Sequence, residues 1–196
     1  MRTAKVERHT RETRICVELC LDGHGQAQIE TPIGFLNHML ETLARHGMFD
    51  LHVQATGDLD VDQHHLVEDL GLVLGQAFRR ALGDKRGIRR AGSFVFPMDD
   101  AIALCAVDIG GRPYLHFRAR FRRRFCGELD TDLVREFFQA FANSLGANIV
   151  VWLIRGRNDH HRIEAIFKAL ARSLREACAV DPRAPDTVPS TKGVLE

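Results

Sequence analysis

Two pairs of adjacent histidines, each followed by a glutamate at the same spacing, are the residues of this chain best suited to chemistry. Residues 64–68 read His-His-Leu-Val-Glu, and residues 160–164 read His-His-Arg-Ile-Glu. Imidazole and carboxylate groups are common ligands of divalent transition metals. The duplicated HHxxE motif therefore indicates metal binding. Two copies of the motif predict two metal sites.

Helical winding limits how each motif can be used. Each copy follows an acidic or polar turn and opens a stretch with apolar residues at helical spacing. On such a helix His64 and Glu68 share a face at i and i+4, whereas His65 points about 100° away from His64. Neighbouring imidazoles do not easily bind one ion, so each motif is expected to contribute to two different metal sites. A single HxxxE would more often be a solvated pair, and the repetition favours ligation.

The elements that must position these residues also occur twice. Apolar periodicity predicts an amphipathic helix containing His38 before the first motif and one containing Glu136 before the second. Helix, strand, turn and HHxxE helix follow in the same order in both copies: 35–44, 49–53 and 64–82, then 133–142, 149–153 and 160–179. The repeat predicts that the two halves need each other to bury their apolar faces.

The rest of the first 180 residues reads as strands. Loose alternation predicts a strand within 2–22 with Glu12 at its start, a strand pair over 94–107 and a strand over 114–121. The pattern as a whole indicates an α+β fold built from mixed sheet plus helices.

We expect two pseudo-symmetric half-domain repeats, 1–92 and 93–180, and a tail, 181–196, in a single compact unit. The tail carries three prolines and is expected to lack regular structure. Its Pro-Ser-Thr-Lys-Gly run could hold a phosphate, since it combines a hydroxyl, a cation and backbone amides. A disordered polar end is the alternative interpretation.

Composition and charge argue against several classes of protein. The 196 residues are 45% hydrophobic and 27% charged, which is typical of a soluble globular protein. We see neither an N-terminal leader nor an apolar run of about 18 residues, and we expect a cytoplasmic protein. Five cysteines without a CxxC pair suit a reducing compartment. The net charge of +1 does not favour nucleic acid or membrane. The arginine–phenylalanine alternation over 117–125 is interpreted as a solvated edge strand rather than a nucleic-acid surface.

Several runs of residues together closely resemble the imidazoleglycerol-phosphate dehydratase family, in the same order and over essentially the whole chain. They include GFLNHML, DQHHLVED, GGRPY, GRNDHHRIEAIFKALARSLREA and PSTKGVL. The resemblance implies dehydration of imidazole glycerol phosphate to imidazole acetol phosphate in histidine biosynthesis. It also implies a fold like domain 2 of ribosomal protein S5, two Mn²⁺ ions per active site and a 24-subunit assembly with sites between subunits.

Site residues follow from the resemblance position by position. The metal ligands of the family match His38, His64, His65, Glu68, His160, His161 and Glu164. Glu136 stands where many members have a ligating histidine, and a carboxylate can still bind such a cation. The phosphate-binding residues match Arg90, Arg112, Lys168, Ser190 and Lys192. Glu12 matches the proposed acid–base residue, and Asp99 matches an acidic residue near the substrate.

The implied reaction explains why two ions are needed. The proton that leaves carbon has no neighbouring carbonyl and is not acidic. Two ions on the two ring nitrogens would stabilise an imidazolate, from which hydroxide could leave through a diazafulvene-like intermediate. Ions on opposite edges of one ring lie farther apart than the roughly 3.5–4 Å of a hydrolytic pair.

Helix faces suggest how the ligands divide between the two ions. One group is His64, Glu68, His38 and His161, and the other is His160, Glu164, Glu136 and His65. The alternative division exchanges the adjacent histidines.

Two other functions are compatible with the metal motifs. One is a dinuclear metallohydrolase that acts on a phosphorylated small molecule. The other is a metal-storage or assembly protein without a substrate, which the candidate phosphate residues disfavour because storage needs no phosphate site.

Overall fold

A computed structural model describes residues 1–195, and the last residue of the expected tail, Glu196, lies outside the described residues. In this part of the chain the helices are α1 (Gly34–Gly47), α2 (His64–Leu82), α3 (Asp132–Leu145) and α4 (Asp159–Cys178). The strands are β1 (Thr3–His9), β2 (Thr13–Cys20), β3 (Ala27–Glu30), β4 (Asp50–Gly57), β5 (Ala91–Met98), β6 (Ala101–Asp108), β7 (Tyr114–Arg118), β8 (Phe125–Cys126), β9 (Leu129–Asp130) and β10 (Asn148–Arg155).

The two halves repeat one topology. The first sheet has the order β1-β2-β4-β3 and the second the order β5-β6-β10-β7. In each sheet the first three strands of this order are antiparallel, and the last strand is parallel to its neighbour. The prediction of an α+β fold with two repeated sheet-plus-helix halves is confirmed.

The first predicted strand is a hairpin rather than one strand. Residues 10–12 turn the chain between β1 and β2, and the hydroxyl of Thr10 accepts hydrogen bonds from the amides of Glu12 and Thr13 at 3.1 and 2.9 Å. Loose apolar alternation continues on both sides of this turn, which explains why periodicity did not separate the strands. Glu12 therefore lies in a turn at one end of the sheet.

Strand β5 begins at Ala91, so the expected repeat boundary after residue 92 lies two residues inside it. We propose that the halves divide instead in the loop over 83–90.

One face of each sheet is buried under the helices. Ile15, Val17 and Leu19 of β2 alternate with exposed or half-buried residues and are at most 3% exposed. The helices pair across the repeat, because α1 packs on α4 and α2 packs on α3. Each half thus covers apolar helix surface of the other, in agreement with the expected mutual burial. Within residues 1–195 no helix has both the length and the apolarity that crossing a membrane would require.

The α2–α3 contact depends on small residues. A methyl group on Gly71 would lie 2.5 Å from the carbonyl oxygen of Phe137, and one on Gly75 would lie 2.7 Å from that of Phe141. The two backbones approach this closely because both positions lack a side chain.

We expect Gly71→Ala to destabilise the fold by about 1–3 kcal/mol, because overpacking against rigid backbone outweighs the gain in helix propensity. Chemical denaturation measures this change. Arg79→Ala on the exposed part of the same helix is the control, with an expected change within about 0.5 kcal/mol. Equal stability of the Gly71 variant and the parent would contradict the close packing.

Candidate metal centre

Three side chains from two helices converge at one end of the molecule. His38 on α1 and His160 and Glu164 on α4 each offer a ligand atom, and these atoms lie within 4.8 Å of one another. The Nε2 atoms of His38 and His160 lie 3.9 and 3.3 Å from Oε2 of Glu164. Among residues 1–195 this is the one cluster of three candidate ligands so close together.

The donor set fits a divalent ion such as Zn²⁺ or Mn²⁺. Two imidazole nitrogens and a carboxylate oxygen are suitable ligands for such metals. Ligand atoms about 2.1 Å from one ion stand roughly 3.0–3.5 Å apart when their bonds diverge by 90–110°. Distances of 3.3 and 3.9 Å therefore need only small side-chain rotations to close on an ion.

Local structure fixes the start of α4, where the histidine pair lies. The side chain of Asn158 accepts a hydrogen bond from the amide of His160 at 2.9 Å and caps the helix. The edge of the Phe35 ring packs against the His160 ring, with centroids 5.0 Å apart.

Asp159 links the helix start to the arginine-rich segment. Its carboxylate pairs with Arg162 at 2.8 Å, and both side chains are at most 8% exposed. Its second oxygen accepts hydrogen bonds from the amides of Arg122 and Arg123 at 2.9 and 2.8 Å. Part of the arginine-rich segment thus holds α4 in place through its backbone.

Glu164 is the most buried ligand candidate. Burial alone would raise the pKa of its carboxyl, but a hydrogen bond from Lys168 and the charges of Lys168, His38 and His160 lower it below the ordinary value. The Lys168 ammonium lies 2.8 Å from the carboxylate. Glu164 is therefore held in the ionised form, which is the form that binds a cation.

The expected grouping of His38 with His64 and Glu68 is wrong within this chain. His38 lies beside His160 and Glu164, because α1 packs on the HHxxE helix of the other half. Helix faces specify which residues of one helix point together, but not which helix covers that face.

Adjacent histidines diverge, as helical winding requires. The rings of His64 and His65 are inclined at 86° with centroids 6.3 Å apart. The rings of His160 and His161 are inclined at 81° with centroids 6.1 Å apart. Only His160 of its pair belongs to the cluster with His38, and His161 points to a different group of acidic residues.

His65 lies between two carboxylates. Its Nδ1 is 3.1 Å from Asp58, and its Nε2 is 3.9 Å from Glu12. The hydrogen bond with Asp58, supported by the charge of Glu12, raises the pKa of the His65 imidazole. Glu12, the acid–base candidate, therefore faces Nε2 of His65, a candidate metal ligand.

His161 has the same type of surroundings in the second half. Its Nδ1 is 2.7 Å from Asp100, and its Nε2 is 3.3 Å from Asp99. The hydrogen bond with His161 and bonds from the amides of Arg157 and Asn158 hold the pKa of Asp100 well below its usual range. Asp99 occupies the β5–β6 turn with a φ of 48°, a left-handed conformation that directs it toward the imidazole.

Sequence reasoning missed Asp58 and Asp100 as functional residues. Each carboxylate can fix the tautomer of its histidine at Nδ1, so that Nε2 is free to bind an ion. The available signal was an aspartate in a turn. Asp58 lies in the turn before the first HHxxE helix, and Asp100 lies in the β5–β6 hairpin turn of the second half. Such aspartates are common in turns, which hides this role.

Glu136 occupies the position in α3 that His38 occupies in α1. Its carboxylate pairs with the adjacent Arg135 at 3.0 Å. Helix α3 packs on α2, where Nε2 of His64 lies 3.6 Å from Glu68. These three residues do not form a cluster as close as that around Glu164.

Of the candidate phosphate residues, Arg90 lies beside the tail and Lys168 lies on α4. Arg90 donates to Asp108 at 2.6 and 3.0 Å and to the carbonyl of Pro189, next to Ser190, at 2.9 Å. Lys168 lies instead one helical turn after Glu164. The amide of Arg90 bonds to Ala177, nine residues beyond Lys168 on α4 and thus about 13 Å along the helix. Within one chain Lys168 pairs with Glu164 and Arg90 pairs with Asp108, so different carboxylates hold the two cations.

The other two candidates are exposed. The side chain of Arg112 points into solvent, while its carbonyl accepts a hydrogen bond from Asn148 at 3.1 Å. Lys192 lies in the tail, and its amide donates to the hydroxyl of Ser190 at 3.1 Å. The structure therefore brings Arg90, Ser190 and Lys192 into one region. Arg112 lies two residues beyond Gly110, where a methyl group would be 3.0 Å from the Arg90 guanidinium. Lys168 lies apart from them, on α4 beside Glu164.

Comparisons with known proteins agree with this architecture. A family model for imidazoleglycerol-phosphate dehydratase matches residues 31–174. The chain is 55% identical over 195 residues to an imidazoleglycerol-phosphate dehydratase of Methylorubrum extorquens, with 100% of both chains covered. It is 56% identical over 194 residues to the protein of that name from Gluconacetobacter diazotrophicus, with 99% of this chain and 98% of the relative covered.

Solved structures agree as well. The imidazoleglycerol-phosphate dehydratase of Staphylococcus aureus superposes with a TM-score of 0.83 at 38% identity, covering 91% of this chain and 99% of that one. The enzyme of Pyrococcus furiosus superposes with the same TM-score at 36% identity, covering 97% and 100%. The repeated halves described above are thus shared with experimentally determined structures.

Proposed function

Because this chain belongs to the imidazoleglycerol-phosphate dehydratase family of histidine biosynthesis, we propose that it is a metal-dependent hydro-lyase. It removes water from imidazole glycerol phosphate and forms imidazole acetol phosphate. Two Mn²⁺ ions serve each active site, and the protein works in the cytoplasm.

The observation that carries this proposal is the convergence of His38, His160 and Glu164. Three ligand atoms from two helices lie within 4.8 Å of one another, and the buried carboxylate is ionised. Such a set distinguishes a built metal site from a solvated i,i+4 pair, because His38 from a second helix joins the pair of His160 and Glu164. Bound divalent ions would supply Lewis-acid stabilisation of the negative charge that develops on the substrate ring.

The chain's own side chains handle the protons. Glu12 is accessible at the β1–β2 turn, with its side chain 53% exposed, and faces Nε2 of His65. It accepts the carbon-bound proton as a general base and can return it as an acid. Asp99 lies beside Nε2 of His161, as Glu12 lies beside Nε2 of His65. It orients the substrate from the side opposite Glu12.

The second ligand set follows from the repeat. Glu136 stands on α3 as His38 stands on α1, and α3 packs on the helix that bears His64 and Glu68. If Glu136 were released from Arg135, these three residues could hold an ion, as His38, His160 and Glu164 could. His65 points away from His64, and His161 points away from His160. Each would complete a metal site of a neighbouring copy of the chain.

Active sites form between copies of the chain. Two features of the single chain support this. His65 and His161 diverge from their neighbours and stand outside the cluster of His38, His160 and Glu164, and Lys168 and Arg90 pair with different carboxylates. A neighbouring copy brings the missing groups together, and the phosphate meets Arg90, Arg112, Lys168, Ser190 and Lys192 from more than one subunit. A 24-subunit assembly is the form we propose.

An assay with imidazole glycerol phosphate tests the reaction class. We expect a keto product when protein loaded with Mn²⁺ is incubated with this substrate, and no release of inorganic phosphate. Mass spectrometry detects the loss of one water, and a phosphate assay runs in parallel. Phosphate release without the keto product would instead establish the metallohydrolase alternative.

A further inference from the structure

The loop between α2 and β5 grips the C-terminal tail through the tail's backbone. We call residues 85–90 the clasp and residues 181–195 the tail. The amide of Gly87 donates to the carbonyl of Thr187 at 2.9 Å, and the carbonyl of Gly87 accepts from the amide of Asp181 at 2.7 Å. Ile88 also forms an isolated bridge with Val180. The tail thus leaves α4 already bound to the clasp.

Three cationic side chains of the clasp continue this contact along the tail. Arg86 donates to the carbonyl of Asp186 at 3.0 Å, Arg90 to that of Pro189 at 2.9 Å, and Lys85 to that of Leu195 at 3.2 Å. These acceptors are spread over most of the tail. Backbone carbonyls carry no sequence information, so the clasp fixes the path of the tail rather than its composition.

Two of these cations are themselves held in place. Arg90 has a φ of 70°, and its guanidinium is oriented by paired bonds to Asp108 at 2.6 and 3.0 Å. Lys85 has a φ of 61° and is 7% exposed. Burial, together with the charges of Arg79 and Arg90, lowers the pKa of the Lys85 ammonium. A buried ammonium gains more from a carbonyl acceptor than an exposed one does.

Gly87 lets the tail approach the clasp. It has a φ of 67°, and a methyl group there would collide with the carbonyl of Pro185. Gly83 lies in the same loop with a φ of 57°, but a methyl group there would meet nothing within 4 Å. The two glycines share a positive φ, which is strained for any residue with a side chain, and differ in whether the tail covers them.

We propose that the clasp is a positioning device for the substrate phosphate: it fixes the tail so that Ser190 and Lys192 are in place before the substrate binds. Gly87 and Lys85 are then positioning residues that do not touch the substrate. This proposal rests on the assignment of Ser190 and Lys192 to phosphate in the proposed function. A tail without the clasp would have to be ordered on binding, which would weaken affinity.

Gly87→Ala tests the clasp, with Gly83→Ala as the control that bears the strain of a positive φ without the collision. Hydrogen exchange measured by mass spectrometry over 184–195 reports the tail, and steady-state kinetics report the substrate. We expect Gly87→Ala to lose protection in this segment and to raise KM roughly tenfold or more, as for loss of hydrogen bonds to a charged group. The kcat should change less than KM, and the control should keep the protection and KM of the parent.

A second variant covers the case in which Gly87→Ala does not fold. Lys85→Met keeps the apolar stem and removes only the donor to Leu195, and it should loosen the end of the tail and raise KM in the same direction. Unchanged hydrogen exchange in the tail of both folded variants would overturn the clasp. Equal loss of protection in Gly83→Ala would do so too, since strain alone would then explain it.

Lys192→Ala separates failure of the clasp from failure of the proposed function. It removes the phosphate contact itself, so we expect a higher KM with kcat little changed. If Lys192→Ala raises KM but a Gly87→Ala protein with a loosened tail does not, the positioning role is wrong and the phosphate assignment stands. If neither variant changes KM, the assignment of the tail to phosphate is wrong, and the positioning role is wrong with it.

Discussion

Removal of divalent metal is expected to abolish formation of the keto product, and added Mn²⁺ is expected to restore it. His160→Ala should show the same defect permanently, because it removes one of the three ligand atoms of the cluster formed by His38, His160 and Glu164. Even residues that only orient metal ligands typically change affinity 10- to 100-fold. We therefore expect His160→Ala to bind metal at least about 100-fold more weakly. Calorimetric titration of metal-free protein with Mn²⁺ measures this without relying on activity.

The control for this experiment is His24→Ala, which removes an exposed histidine outside the cluster. It should retain the affinity and the bound metal of the parent protein. Metal content that is the same in His160→Ala and in the parent would exclude His160 as a ligand. Full turnover after exhaustive chelation would remove the metal from the reaction altogether.

Glu12→Gln is expected to cause the second large loss. The substitution keeps the size of the side chain but removes its ability to accept a proton, and general-base catalysis typically contributes about 10²- to 10⁴-fold. We expect kcat to fall by a factor in this range. Metal content should stay constant, because Glu12 approaches His65 only to 3.9 Å and lies outside the cluster around Glu164. Steady-state kinetics and metal analysis on the same preparation measure both quantities.

Glu30→Gln provides the matched control, since it makes the same chemical change at an exposed position at the end of β3. Its kcat should equal that of the parent. If Glu12→Gln also turned over at the parental rate, Glu12 would have no part in proton transfer, and Asp99 beside His161 would become the next candidate.

Much of the fold was accessible from the sequence because its signals are local. Apolar periodicity places α2 and its start at His64 as the structure has them, and the duplicated order of elements predicts the two halves. The divergence of His64 and His65 likewise follows from helical winding, which acts between neighbouring residues. The division of the first strand into the hairpin of β1 and β2 was not predicted, because the turn between them contains neither glycine nor proline.

The arrangement of the candidate site was less accessible because it depends on contacts between distant segments. His38 meets His160 and Glu164 through the packing of α1 on α4, 122 and 126 residues away in sequence. Asp100 meets His161, 61 residues later, because the β5–β6 turn brings it to that imidazole. Asp58 meets His65 more locally, through the turn between β4 and α2.

By itself, then, the sequence determined the repeat, the helix faces and the residue types able to bind metal and phosphate. The tertiary structure decided which helix faces which, and so which histidine joins which glutamate. It also decided that the loop before β5 grips the tail, a contact made mainly to backbone carbonyls. The physical reason is that periodicity records the geometry of one element, whereas pairing between elements depends on packing and on backbone groups that every residue shares.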